Sequence, residues 1–137
     1  MILEGHFLRW WLIIYKSCSK CGKIHDINYK CNANYKYEIR NDVEIRKLRN
    51  KNSWKKKAVQ IKEDSKYLCE LCLEEGIYNY KDLEIHHITK IRDNRDRLLD
   101  NYNLICLCKH HHKLADEGNI NQDYLFELAK KREERNL

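Results

Sequence analysis

A cysteine pair and a later run of cysteines and histidines constrain this chain more than its apolar residues do. CELC spans Cys69 to Cys72, and further on CLCKHHHK holds Cys106, Cys108, His110, His111 and His112. Zinc takes four soft or borderline ligands at tetrahedral corners, and two short knuckles joined by a long loop supply them without a large core. Cys69 and Cys72 form the first knuckle. In the second, Cys108 and His111 have the Cys-x-x-ligand spacing while Cys106 and Cys108 do not, so one structural zinc is expected on Cys69, Cys72, Cys108 and His111. On a strand Cys106 and Cys108 share a face, which leaves a four-cysteine set open. With His111 as ligand, Cys106 becomes a buried core thiol.

A metal staple suits the composition. The 137 residues are 35% charged and 42% hydrophobic, with a mean hydropathy of -0.84, so one domain with appendages has little apolar surface to set against the entropy of ordering its backbone. Seven cysteines cannot all pair as disulfides. The apolar stretch from Phe7 to Tyr15 contains Arg9, lacks a small-residue cleavage site and is too short to span a bilayer. A reduced, cytoplasmic, metal-binding protein without a membrane segment is therefore expected.

The chain divides by composition into an apolar arm (1–17), a cysteine-rich knuckle (18–31), a polar linker (32–52), a central region (53–118) and a C-terminal helix (119–137). Within the knuckle, CSKCGKIHDINYKC offers Cys18, Cys21, His25 and Cys31 to a second zinc, with Gly22 where a tight turn needs it. The linker reads as loosely ordered or helical. Ser53 can cap a helix whose Trp54, Ala58 and Ile61 share one face, with lysines 55 to 57 pointing outward. LEIHHIT (83–89) and NLICL (103–107) read as strands. A helix should follow from about His110 to Gly118, and another from Asn121 to Arg135 with Tyr124, Leu125, Leu128 and Ala129 on its inner face.

The formal net charge of +6 suits a polyanionic partner, and RNKNSWKKK concentrates it: Arg49, Lys51, Lys55, Lys56 and Lys57 are candidate DNA contacts, the bland reading being a solvated helix face. Arg92, Arg95 and Arg97 either contact phosphates or keep a surface loop soluble.

From Lys66 to Gly118 the order CELC, IHHI, NL, LCKHHH resembles the HNH (His-Me finger, ββα-metal) endonucleases, with Asn103 sixteen residues after His87 and His112 nine after Asn103. The wider run, through ADEG, is similar to small nucleases encoded by phages and prophages. The resemblance implies an α+β fold: a small zinc-stapled ββα-metal core with flanking helices. It also implies metal-dependent hydrolysis of DNA, nicking or cutting both strands, in phage DNA packaging or processing beside packaging proteins. By that likeness His87 is the general base, a neutral imidazole near its usual pKa. His86 and His112 would hold a catalytic Mg2+ or Mn2+, and Asn103 would orient His87 through the loop between the strands. Many members carry cysteine where His111 stands, and the triple histidine leaves the register open by one: His111 could serve the catalytic metal while His110 or Cys106 serves zinc. The competing reading is a zinc-stapled nucleic-acid-binding or packaging-adaptor protein with a vestigial nuclease site.

Overall fold

The computed structural model describes residues 14–32 and 35–137, the side chains of 35–39 excepted. Residues 1–13, most of the expected apolar arm, lie outside the described residues. The chain forms two compact units, 1–43 and 44–137.

In the first unit β1 (Tyr15–Ser17) pairs antiparallel with β2 (Ile24–Asp26), Lys16 opposite His25. The last residues of the expected arm are thus one strand of the knuckle's hairpin. Gly22 closes the turn at φ +72°, a conformation glycine adopts without a Cβ penalty, while its N–H donates to Cys18 O at 2.8 Å. The linker takes its helical alternative as α1 (Tyr35–Asn50).

The second unit is built around β3 (Leu83–His87) and β4 (Leu104–Cys108), an antiparallel pair in which Ile85 faces Cys106 and His87 faces Leu104. Every residue of β4 is buried. One side of the hairpin packs Leu104 and Cys106 against Ile61 and Trp54 of α2 (Asn52–Asp64). The other packs Ile105 and Leu107 against Leu125, Leu128 and Ala129 of α5 (Gln122–Arg135), together with the knuckle cysteines. Between them lie α3 (Glu70–Glu74) and, directly after β4, α4 (Lys109–Asp116). The result is a small α+β fold with a ββα centre. Among the described residues no helix is long and apolar enough to cross a membrane.

Four expectations for individual side chains change. Ser53 lies inside α2, whose N-cap is Lys51 without a side-chain cap bond, because the helix starts one residue before Ser53, at Asn52. Tyr124 is exposed, and the inner face of α5 runs instead from Leu125 through Leu128 and Ala129 to Arg132, an i, i+3, i+4, i+7 stripe ending on a charge. Arg132 is buried because Glu70 pairs with it: Nη1 donates to Glu70 Oε1 at 2.8 Å and to Leu104 O at 2.7 Å, and Nη2 to Asn101 O at 2.6 Å. Lys57 does not point freely outward, since its Nζ donates to Gln60 Oε1 at 2.9 Å and Asn101 Oδ1 at 2.7 Å. Of the loop arginines, Arg97 is half-buried, bonded to Asp100 and Thr89 and lying over the Phe126 ring.

Candidate active site

Cys69, Cys72, Cys108 and His111 converge as the spacing predicts, each offering one ligand atom within 4.8 Å of the others. Cys69 caps α3 and accepts from Cys72 N, so the first knuckle starts a helix. Cys108 ends β4 and His111 lies on the first turn of α4, which brings the second pair onto the first. His111 Nδ1 is 3.4 Å from each of the three sulfurs, and Cys72 and Cys108 Sγ are 4.0 Å apart. A tetrahedral zinc with ordinary Zn–S and Zn–N lengths sets these edges at ~3.6 and ~3.8 Å, so the donor set fits the ion. Glu75 Oε1 lies 3.8 Å from His111 Nε2, the ring nitrogen facing away from the sulfurs, where a carboxylate orients a ligating imidazole. Burial pushes the Cys69 thiol up to about 12, against the backbone hydrogen bonds from Cys72 and Cys108. Cys106 lies outside this cluster as a buried thiol, also pushed up to about 12 by burial and then by Glu70. His110 is exposed beside His111.

A second cluster stands on the other side of His111. His86 on β3 and His112 on α4 meet Asp116, one turn further along α4, with their ligand atoms again within 4.8 Å. His86 Nδ1 is 3.3 Å from Asp116 Oδ1, and His112 Nε2 is 3.6 Å from Asp116 Oδ2. His112 donates its Nδ1–H to Glu84 Oε2, which leaves Nε2 free as a ligand. Two imidazoles and one carboxylate make a mixed nitrogen and oxygen set suited to a divalent metal. Sequence reasoning named neither Asp116 nor Glu84. Both were within reach of periodicity, Asp116 being i+4 from His112 on a helix and Glu84 i−2 from His86 on a strand. An open cavity of about 370 Å³ adjoins the cluster, bounded in part by His86, Lys90, Asp116 and Gln122.

His87 occupies the opposite face of β3, because successive strand residues alternate. It is buried, its ring 4.5 Å from that of Trp54, and its Nε2 lies 3.1 Å from Leu98 O. A carbonyl only accepts, so Nε2 carries the hydrogen and Nδ1 is the basic nitrogen. Burial, aided by the Arg49 and His112 charges, lowers the His87 pKa to about 4, against the hydrogen bond to Leu98. His86 is lowered to about 4 as well, by burial and then by His112. The expectation of an ordinary histidine pKa at His87 is therefore corrected: the ring is neutral across the whole physiological range.

Asn103 is fully buried where a 3-10 turn enters β4. Its side chain accepts from Thr89 N at 2.7 Å and donates to Thr89 O at 3.0 Å and Arg97 O at 3.2 Å. Those bonds clamp both ends of the loop that carries Leu98, the acceptor for His87. Of the basic residues, Arg49, Lys51, Lys55 and Lys56 are exposed.

No family model matches the chain, and no curated protein matches it significantly. Among solved structures it is similar to the HNH endonuclease of a deep-sea thermophilic bacteriophage, GVE2, crystallised with a manganese ion. The likeness runs at 23% identity and a TM-score of 0.54 over 64% of this chain and 97% of that one. The architecture around these clusters is thus an HNH-type fold.

Proposed function

We propose that this chain is a metal-dependent endonuclease that hydrolyses DNA phosphodiester bonds, with residues 53–118 as its catalytic unit. The observation that carries the reading is the neighbourhood at the end of β3: a cluster of two imidazoles and a carboxylate, next to a buried histidine whose Nε2 is tied to a carbonyl. On this reading a phosphate lies across the strand end, between the His86 face and the His87 face. His87 Nδ1 takes a proton from water as the water oxygen bonds to phosphorus, and the bond from phosphorus to the 3′ oxygen breaks, leaving a 5′ phosphate. Mn2+ or Mg2+, when held by His86, His112 and Asp116, supplies Lewis-acid stabilisation of the charge developing on the phosphoryl oxygens and leaving group. Asn103 positions His87 by fixing the Leu98 loop, and Trp54 holds the ring's plane. The zinc expected at Cys69, Cys72, Cys108 and His111 fixes α4 against the hairpin. Arg49, Lys51, Lys55 and Lys56 supply phosphate contacts outside the reacting group. The setting proposed for this activity is phage DNA processing or packaging.

The test is conversion of supercoiled plasmid to nicked or linear form by purified protein with Mn2+ or Mg2+. His87→Ala is expected to abolish conversion while zinc content stays as in the wild type. Equal cleavage by the two proteins would remove His87 from the reaction.

A further inference from the structure

The nuclease reading makes no use of the 14–32 hairpin, although this segment gathers four metal-ligating side chains. Cys18, Cys21, His25 and Cys31 each place a donor atom within 4.8 Å of the others. We propose that these four residues bind a second zinc ion, independent of the first, and that this ion holds the β1–β2 hairpin together.

Three observations carry it. The first is the donor set, three thiols and an imidazole, which zinc takes at structural sites. Cys21 Sγ and His25 Nε2 are in direct contact at 2.8 Å, reached because His25 sits on β2 across the turn from Cys18 and Cys21. The second is the backbone around the sulfurs. Lys20 N–H points at Cys18 Sγ and Lys23 N–H at Cys21 Sγ, each at 3.4 Å, the amide-to-sulfur contacts that stabilise thiolate ligands. Gly22, in the left-handed region, lets the chain turn tightly enough to aim both amides. The third is what the hairpin lacks. Among the described residues of 14–32 only Cys31 is buried, while Ile24 is 71% exposed and Tyr15 63%. An isolated hairpin of two three-residue strands is marginally stable at best in water. Disulfide pairing cannot use three cysteines evenly, and it would leave His25 without a role.

Zinc content of the full-length protein, purified and dialysed against metal-free buffer, tests the assignment. The wild type is expected to retain two zinc ions per chain; His25→Ala and Cys31→Ser should each retain one, and His25→Cys should restore two. In cobalt-reconstituted protein, thiolate-to-cobalt charge-transfer absorption should fall by about half in Cys31→Ser, since three of the six expected thiolate ligands sit at this site. One zinc or none in the wild type, or two in His25→Ala, would overturn the proposal. The readout is metal content, so its outcome is separate from whether the protein cleaves DNA.

Discussion

Replacing Arg132 by methionine would cut the strongest polar link between α5 and the hairpin. The guanidinium is fully buried and donates to Glu70, Leu104 O, Asn101 O and Glu133. Methionine keeps most of the volume and removes every donor. Glu70, only 4% exposed, would then hold its charge against Ser65 Oγ at 3.0 Å and Cys106 N at 3.1 Å alone, with Oε2 unpartnered. Breaking a buried ion pair from one side costs ~3–5 kcal/mol, a large share of a domain stability of ~5–15 kcal/mol. For a unit the size of 44–137 that is a fall in melting temperature of ~12 °C or more. Adding Glu70→Gln removes the stranded charge and keeps an acceptor for Ser65 and Cys106 N, so the double variant should recover ~1–2 kcal/mol relative to Arg132→Met. Thermal and urea melts of the wild type, both single variants and the double variant complete the cycle. An Arg132→Met protein melting within ~4 °C of wild type, or a double variant no better than the sum of its parts, would show that the pair does not hold the helix.

The other expectations are shorter. Stability should fall as pH drops from about 6.5 toward about 4, because the unfolded chain protonates His86 and His87 below 6.5 while the folded protein resists until about 4; each histidine accounts for a loss of ~2 kcal/mol between pH 7 and 5. His87→Phe should remove about half of this slope in urea melts, His86 carrying the rest, and an unchanged slope would exclude His87 as a source. Asp116→Asn should weaken Mn2+ binding at the catalytic cluster by ~10-fold or more and leave zinc in place, as read by calorimetry and metal analysis; unchanged Mn2+ affinity would remove Asp116 from the ligand set. Asn103→Ala leaves Thr89 N–H and two carbonyls unpaired and should cost ~2–4 kcal/mol while lowering kcat more than substrate affinity; a loss confined to affinity would contradict its positioning role. Stripping zinc with a strong chelator should abolish the cooperative melt of the C-terminal unit, and a sharp, unshifted transition would rule out zinc as its staple.

The site was legible where chemistry and spacing speak together. Cys-x-x-Cys, Cys-x-x-His and the paired histidines name residues that few other environments tolerate so close in sequence. What escaped was set by tertiary contact. A buried arginine on α5 is invisible to an apolar face count, which took Tyr124 instead, because Arg132 is admitted by Glu70, on a helix far away in sequence, together with Leu104 O and Asn101 O. Helix α3 has five residues, too short for a period, and starts on a metal-site cysteine. Asp116 and Glu84 look like ordinary surface acids until α4 folds against β3. Lys57 reads as one more charge in a basic run, and only the approach of Asn101 withdraws it.

His111 and His112 are neighbours on α4, ~100° apart around its axis, and they look into different clusters. One turn of helix is thus the shared wall of a sulfur-rich chamber and an imidazole-rich one. Any twist of that wall that opened the first would misalign the second, so ions held in both would be mechanically geared. Oxidants that attack only the sulfur chamber would then disorder the second cluster without touching any of its own side chains.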